Sequence, residues 1–407
     1  MEQLIVGDSS MRKSTLGNSL SLGSVRKAMT LRVRRRLWYY VSIFIGSLGL
    51  GMYSYFIPLF AQRFGATFLD LGIIGTVSSL TYAVVPLFVG HLADRVNPSR
   101  IYALSLLLLF TTTLVLSFSR SVEDIILIRG LGGLGFAFYW PITEILSLDL
   151  ADRGKRVKEM GLWGVAWGTA FLIGPALGGV IVQEFGFVKL FVVSAAFVMF
   201  AFIQSITIPP YARQTGSHAV SVLEAFRMMR KLLPWYVWVL FYGMLFTIIA
   251  TILPGYASSV EISAILIGGL FTVFGLARIL GYVASERLLR FGERNVLAIV
   301  SLLMAAGCLI VAFFPSFSGF LPAIIIFGGC FAIGFALSIG LVSRHFLDEQ
   351  AGAAVGSFEA VDGVGNAIGP VFVGVVAAVS TVQLGFVSAS FFAFAMVVVA
   401  ATGKTYR

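Results

Sequence analysis

The chain has 407 residues, of which 58% are hydrophobic and 12% charged, with a formal net charge of +10 and a mean hydropathy of +0.95. A soluble domain carries about 25% charged residues, so a soluble globule of this composition would expose far too much apolar surface to water. The composition therefore excludes an ordinary soluble enzyme or binding domain and predicts an all-α integral membrane protein.

The first 37 residues are polar and basic, and they end in the run RVRRR at 32–36. They lack an apolar core followed by a cleavage site, so we expect no secretory signal. We predict a disordered cytoplasmic tail over 1–37, whose arginines hold the start of the chain in the cytoplasm. A contact of this tail with anionic lipid headgroups is the alternative.

Twelve apolar runs of about 18 to 25 residues follow, and each predicts a membrane-spanning helix. They cover 38–60, 70–90, 101–119, 124–147, 159–182, 187–208, 235–257, 262–284, 295–314, 319–341, 353–377 and 383–402. The chain thus divides into a six-helix half over 38–208, a cytoplasmic connector over 209–234, a second six-helix half over 235–402 and a short tail over 403–407. The connector sequence SVLEAFRMMRKLL predicts a short amphipathic helix on the membrane surface.

Basic residues set the predicted orientation. With a cytoplasmic N-terminus, 24 of the 29 Lys and Arg residues fall on the cytoplasmic side, three on the opposite side and two within spans. This bias predicts that both termini are cytoplasmic and that the chain is a multi-pass protein of the plasma membrane.

The two halves share an internal repeat. The segment KEMGLWGVAWGTAFLIGPALGG at 158–179 aligns with AAVGSFEAVDGVGNAIGPVFVG at 353–374, so that Gly174-Pro175 pairs with Gly369-Pro370. The segment VGHLADR at 89–95 aligns in the same way with LGYVASER at 280–287. A duplication of this kind, with a cleft between pseudo-symmetric halves, is typical of secondary transporters.

Three motifs in the first half resemble signatures of the major facilitator superfamily. GHLADRV at 90–96 resembles its loop between spans two and three, and IRGLGGLG at 128–135 resembles an element of its span four. Gly161 and GPALGG at 174–179 resemble its span-five pattern, often named the antiporter motif. The residues that carry the first and third motifs are Gly90, Asp94, Arg95, Arg100, Gly161, Gly174, Pro175, Gly178 and Gly179, with Gly369 and Pro370 in the repeat.

The resemblance implies the twelve-helix fold of that superfamily and secondary active transport by alternating access. It also implies that Asp94, supported by Arg95 or Arg100, latches the halves in the outward-facing state against the start of span eleven. The alternative for Asp94 is a solvated loop acid. The span-five glycines are expected to serve helix packing.

The best candidates for chemistry lie in span eleven. Glu359, Asp362 and Asn366 share one helix face, and Asp362 is expected about 14 Å deep in a hydrocarbon core of roughly 30 Å. A charge at that depth costs at least a few kcal/mol, so intramembrane acids are functional by default. We predict that Glu359 and Asp362 bind and release protons during transport. A hydrogen bond from Asn366 that fixes packing, or a salt bridge to an Arg, is the alternative.

Span four holds a second set of residues that we predict to line a cavity. Arg129, Trp140 and Thr143 lie on one stripe of that helix, which suits a water-filled cavity better than lipid, although Arg129 could also be an interfacial anchor. Trp163 and Trp167 of span five are expected either to form an aromatic wall for substrate or to pack ordinarily. Glu144 is a weaker candidate near the cytoplasmic end, and Arg278 is expected to extend to the interface with no role.

These observations favour proton-coupled export of amphipathic or lipophilic small molecules over other functions. The alternative is proton-coupled uptake or exchange of a small polar or anionic metabolite, and a non-transporting sensor or scaffold on a carrier fold is a remote third. A complete phosphate loop, HExxH and GxSxG do not occur, so we expect no enzyme, cofactor or metal. The expected partners are a small-molecule substrate, protons and the lipid bilayer; we expect no nucleic acid, and a monomer.

Overall fold

The structure is a computed structural model, which describes residues 22–85, 88–89, 92, 95–150, 156–207, 229–343 and 351–403. The regular secondary structure in these ranges is helical. The α-helices are α1 (Leu22–Ser54), α2 (Ile57–Gln62), α3 (Phe68–Val84), α4 (Pro98–Leu116), α5 (Val122–Leu150), α6 (Arg156–Ile206), α7 (Leu233–Thr247), α8 (Leu253–Ser259), α9 (Ala264–Leu288), α10 (Glu293–Phe313), α11 (Phe317–Ser343), α12 (Ala351–Val379) and α13 (Val382–Thr402). A π-helical turn, Ile248–Ile252, joins α7 to α8.

Ten helical stretches in the described ranges are long and apolar enough to cross a bilayer, and Phe68–Val84 is a shorter apolar helix. One of the ten, Glu159–Ile206, has 48 residues and would be roughly 72 Å long if straight, more than twice the thickness of a bilayer core. Gly186, with φ of 82° and ψ of 174°, breaks it where two predicted spans meet. The total of twelve spans and the cytoplasmic termini stay predictions.

Polar caps begin several helices close to the predicted boundaries. Thr67 and Asp70 form a capping box at the start of α3, in which Asp70 Oδ2 accepts from the Thr67 N–H at 2.8 Å. Ser263 and Thr381 accept from backbone N–H groups at the starts of α9 and α13. These short polar side chains satisfy N–H groups that have no partner within the helix.

The first helix begins earlier than the sequence indicates. The helical backbone runs from Leu22, whereas the sequence predicts a disordered tail over 1–37. Arg and Lys are good helix formers, and these residues extend a helix that is already nucleated by its apolar continuation from Trp38 onward. The arginine-rich segment before Trp38 is therefore part of α1.

Two sides of the bundle can be distinguished. We call the side that holds Trp38, Glu159 and Ala401 the termini side, and the side that holds Gln62 and Ser259 the far side. On the termini side the end of α6 meets the start of α1, since Gln204 Nε2 donates to the Trp38 carbonyl at 3.0 Å. On the far side α2 meets the end of α8, where Gln62 Nε2 donates to the Gly255 carbonyl at 3.0 Å.

The two halves touch through backbone at two equivalent crossings. A Cβ atom on Gly72 of α3 would lie 2.6 Å from the carbonyl oxygen of Pro370 in α12. A Cβ atom on Gly268 of α9 would lie 2.4 Å from the carbonyl oxygen of Pro175 in α6. Because Pro175 and Pro370 are partners in the internal repeat, the same close crossing occurs on both sides of the bundle. Any larger residue would force the halves apart there.

The other motif glycines pack within or between the halves as well. Gly174 and Gly178 lie against Gly51 and Met52 of α1, and a Cβ atom on Gly178 would be 2.0 Å from the Met52 carbonyl oxygen. Gly369 lies against Met244 of α7, and Gly179 lies against α9. A Cβ atom on Gly161, by contrast, would meet nothing within 4 Å.

A buried carboxylate ties α1 to the start of α6 on the termini side. The Glu159 side chain is 1% exposed, and its Oε1 lies 2.5 Å from Arg36 Nη2. Tyr40 donates its hydroxyl hydrogen to Glu159 Oε2 at 2.7 Å. Both carboxylate oxygens are therefore satisfied, which a buried charge requires.

Replacing Glu159 with Ala is expected to lower the free energy of unfolding by about 1–3 kcal/mol, because the change removes a charged hydrogen bond and a buried ion pair. Arg36 is one-third exposed, so the loss stays below that of a fully buried pair. Chemical unfolding in mixed micelles measures the effect. Glu184→Ala, at an exposed acid of the same helical run, is the control, and equal stability of the two variants would contradict the expectation.

Candidate functional site

The halves are closed on the far side, and the seam between α6 and α9 widens toward the termini side. Tyr55 stacks on Phe271 with ring centroids 3.9 Å apart, next to the contact between Gln62 and Gly255. On α6, the face that meets α9 at Pro175 and Phe171 continues through Gly168 and Gly164. A Cβ atom at either of these two glycines would meet nothing within 4 Å, whereas α3 and α12 stay in contact as far as Ala83 and Gly363. We call the open space beside α6 on the termini side the cleft.

A cluster of acids bridges the halves in this cleft. Tyr82 of α3 donates its hydroxyl hydrogen to Glu359 Oε2 of α12 at 2.8 Å, and Glu359 is 8% exposed. Glu144 of α5 lies close enough to Glu359 and Tyr82 to interact with both electrostatically. The first half thus contributes Tyr82 and Glu144, and the second half contributes Glu359 and its neighbour Asp362. We call these four residues the acid cluster.

Asp362 is held by a short polar chain. Asn366 Nδ2 donates to Asp362 Oδ2 at 2.7 Å, and Thr247 donates its hydroxyl hydrogen to the Asn366 side-chain oxygen. The other carboxylate oxygen, Oδ1, is buried and has no hydrogen-bond partner among the described residues. Thr247 immediately precedes the π-helical turn, a distortion that occurs frequently at functional sites. The Asp–Asn hydrogen bond considered from the sequence is therefore present, and it leaves one oxygen open to a proton.

Arg129 belongs to the first half and lies apart from the acids. Its Nη2 donates to Ser78 Oγ of α3 at 2.8 Å, and its guanidinium lies 5.7 Å from the Phe136 ring centroid. Gly133, one turn along α5, packs directly against the Ser78 carbonyl oxygen. Arg129 thus contacts Ser78 and Phe136 and is half-buried, and its role as a cavity residue stays a prediction.

Four aromatic rings line the first-half wall of the cleft. Trp140 of α5 lies 5.6 Å from Trp167 and 6.0 Å from Phe171, both on α6, measured between ring centroids. Trp163 lies 5.6 Å from Trp167 and donates its indole hydrogen to Thr143 Oγ1 at 3.1 Å. We call these rings the aromatic wall, and the structure thus brings four of the sequence-predicted cavity residues together: Trp140, Thr143, Trp163 and Trp167.

Arg278 corrects an expectation from the sequence. The sequence predicts that it extends to the membrane interface, but its guanidinium lies 5.1 Å from the Trp167 ring of the first half and 5.4 Å from the Phe246 ring of the second. Arg278 therefore lies in the seam between the halves. The signal was available in the sequence, because Arg278 falls on the α9 face that also holds Gly268 and Gly275, both of which contact α6.

The loop motif is only partly described. Gly90 and Asp94 lie outside the described residues, and Arg95 and Arg100 are exposed. Asn97, which replaces the glycine of the signature, caps α4 by accepting from the Ser99 N–H at 2.9 Å. The proposed latch of Asp94 stays a prediction, and the amphipathic helix of the connector also falls largely outside the described residues.

A depression of about 380 Å³ on the far side lies over the closed seam, lined by Leu59, Gln62, Arg63, Val182, Gln183, Phe187, Ser258, Ile262 and Ala264. Arg63 stacks on Phe187 at 4.6 Å from its centroid. This lining holds no acid, and the acid cluster does not border this depression.

Comparison with known proteins agrees with this arrangement. The family model described as Major Facilitator Superfamily matches residues 39–289 and 236–405. The chain belongs to the Major Facilitator Superfamily. As a member of this superfamily it is a multi-pass membrane transporter, and the two overlapping matches cover both halves of the bundle.

Relatives within the superfamily transport different compounds. The cis,cis-muconate transport protein of Acinetobacter baylyi is 22% identical over 371 residues, which is 86% of this chain and 89% of that protein. Quinolone resistance protein NorA of Staphylococcus aureus is 24% identical over 185 residues, 46% of this chain and 47% of NorA, so that match spans about half of each protein.

Two solved structures share the fold. A mutant form of the nucleoside transporter NupG superposes with a TM-score of 0.78 at 14% identity, over 91% of this chain and all of that one. An inward-facing, unoccupied bacterial homologue of the human lysosomal transporter Spinster gives a TM-score of 0.72 at 17% identity, over 91% of this chain and 97% of that one. At these identities the likeness concerns the superfamily fold alone.

Proposed function

We propose that this superfamily member exports amphipathic small molecules by alternating access and that protons drive the export. The observation that carries the proposal is the acid cluster, in which Tyr82 of the first half donates to the buried Glu359 of the second at 2.8 Å, one helical turn from Asp362. Two neighbouring carboxylates in a low-dielectric cleft repel each other and lose hydration, so a bound proton lowers the free energy of bringing the halves together.

The position of the acid cluster suits coupling. Tyr82 and Glu359 connect the halves where α3 and α12 stay packed toward the termini side, next to the close approach of Ala83 and Gly363. A change between two states of the seam alters the surroundings of Glu359 and Asp362, and a ligand that binds one state more tightly shifts the equilibrium. The proton serves as that ligand. Asp362 Oδ1 can accept it, because this oxygen has no hydrogen-bond partner among the described residues.

The aromatic wall supports an amphipathic substrate. Its three tryptophans, Trp140, Trp163 and Trp167, are half-buried. Together they present a flat apolar surface to a molecule in the cleft. With the predicted orientation the cleft opens toward the cytoplasm, where an exporter takes up its substrate.

A second function is favoured by Arg278. A cation in the seam suits proton-coupled uptake or exchange of an anionic metabolite, and the relative that covers 86% of the chain is named for the transport of muconate. Direction of transport separates the two proposals, because both use the same acids.

Proteoliposomes that hold the purified protein and a pH-sensitive dye test the proposed function. Addition of an amphipathic substrate is expected to move protons across the membrane in exchange, and no proton movement is expected in liposomes without protein. A panel of lipophilic cations, neutral compounds and organic anions identifies the transported class. Proton movement in the same direction as the substrate would favour the second function, and substrate transport without proton movement would overturn both.

A further inference from the structure

The guanidinium of Arg278 lies in an aromatic cage at the seam. Four ring centroids lie within 6.0 Å of its central carbon, those of Trp167 at 5.1 Å, Phe246 at 5.4 Å, Phe274 at 5.8 Å and Tyr282 at 6.0 Å. One nitrogen, Nη2, is 3.4 Å from the Tyr282 hydroxyl. The Nε atom is buried and has no hydrogen-bond partner among the described residues.

No carboxylate neutralises this charge at contact distance. The ion pair of Arg36 with Glu159 lies on the termini side, and no carboxylate among the described residues lies within salt-bridge distance of Arg278. Asp362, also of the second half, attracts Arg278 electrostatically from beyond salt-bridge distance, and the hydroxyls of Tyr55, Tyr242 and Tyr282 are the other titratable groups nearby. A desolvated cation that keeps an unsatisfied donor is costly unless a partner arrives.

The aromatic wall adjoins the same cation. Trp167 belongs to both groups, because its ring faces Arg278 and also lies 5.6 Å from Trp140 and 6.1 Å from Phe171 between centroids. The indole N–H of Trp167 is itself buried without an acceptor among the described residues. A molecule that reached Arg278 through the cleft would therefore lie along flat apolar rings and meet the guanidinium group at its end.

We propose that Arg278 binds the carboxylate of a planar amphipathic substrate whose apolar body stacks on the aromatic wall. The guanidinium fork matches a carboxylate with two parallel hydrogen bonds, which a lysine at the same place does not provide. The inference rests on the proposed function, whose substrate class it narrows to aromatic or unsaturated organic acids. Cationic amphiphiles are rejected, because Arg278 repels them at the same place.

Three probes with one shared ring system test the proposal: 2-naphthoate, the uncharged 2-naphthamide and the cation 2-naphthylmethylammonium. Binding to the purified full chain in detergent is measured by calorimetry and by quenching of tryptophan fluorescence. The wild-type protein is expected to bind 2-naphthoate at least about tenfold more tightly than 2-naphthamide, since a charged hydrogen-bonded pair contributes that much. The cation is expected to bind more weakly than the amide.

Arg278→Gln is expected to remove the preference for naphthoate over naphthamide, and Arg278→Lys is expected to restore only part of it. Arg290→Gln is the matched control, because Arg290 also stacks on a ring, that of Phe291 at 4.7 Å, but is exposed outside the cleft. Equal binding of the three probes by the wild type, or a preference that survives Arg278→Gln, would overturn the proposal. If Arg278→Gln fails to fold, the relative affinities of the three probes for the wild-type protein decide the proposal.

These binding measurements are independent of proton coupling. If naphthoate binding depends on Arg278 while transport moves no protons, the coupling proposal fails and the anion site stands. If protons move with cationic amphiphiles and naphthoate does not bind, the coupling proposal stands and the anion site fails.

Discussion

The double variant Glu359→Gln with Asp362→Asn is expected to lose all substrate flux that is driven by a pH gradient. Both side chains keep their size and one oxygen that can accept the bonds from Tyr82 and Asn366, but neither can take up or release a proton in the physiological range. Glu144 then remains as the lone acid of the cluster, without the second-half acids that link proton binding to movement of the seam. The measurement is uptake into proteoliposomes with an imposed pH difference.

Substrate-for-substrate exchange provides the internal test of this variant. Exchange at equal pH needs only reorientation of the loaded protein, so the double variant is expected to retain it. Glu184→Gln, which neutralises an exposed acid on α6, is the control and is expected to transport normally. Gradient-driven flux at the wild-type rate in the double variant would disprove the assigned role, whereas loss of both activities would indicate damage to the fold.

Gly268→Val is expected to reduce transport about tenfold or more, which corresponds to roughly 1.4 kcal/mol against the closed far side. The space beside Gly268 is too small for a valine side chain, because even a Cβ atom there would lie 2.4 Å from the Pro175 carbonyl oxygen across the seam. Gly269→Val is the matched control. The neighbouring residue in the same helix has nothing within 4 Å of its Cβ position, so the same change there leaves the seam intact.

Chemical labelling shows whether Gly268→Val acts by opening the seam. A cysteine introduced at Ser258, in the far-side depression, reports access from that side, and the native Cys308 and Cys330 are buried. Labelling is expected to increase in Gly268→Val and to stay unchanged in Gly269→Val. Normal transport and unchanged labelling in Gly268→Val would show that the crossing at Pro175 is not needed for closure.

The sequence predicted the helical class and the starts of several helices because apolar length and capping residues act locally. It also singled out Gly174-Pro175 and Gly369-Pro370, since a repeated backbone crossing needs the same small residues twice. It placed Glu359, Asp362 and Asn366 on one face, and the structure has the Asp362–Asn366 hydrogen bond at 2.7 Å.

The contacts between halves could not be read from local pattern. Tyr82 and Glu359 are 277 positions apart, and their hydrogen bond depends on how the two halves dock. Glu144 is a weak candidate from the sequence because its depth alone gives no reason to expect a second acid beside it. Arg278 was misjudged for a different reason: its distance from the helix end was considered without the glycine-bearing face that it shares with Gly268 and Gly275.

The central claim is that the acids of the cleft bind and release protons while the protein is folded. Infrared difference spectroscopy of the purified protein during a pH change measures this directly, through the carbonyl stretch of protonated carboxylic acids. We expect a band that disappears as the pH is raised, and that is missing from the Glu359→Gln, Asp362→Asn variant but present in Glu184→Gln. A spectrum without such a band, or a band that the double variant keeps unchanged, would contradict the claim.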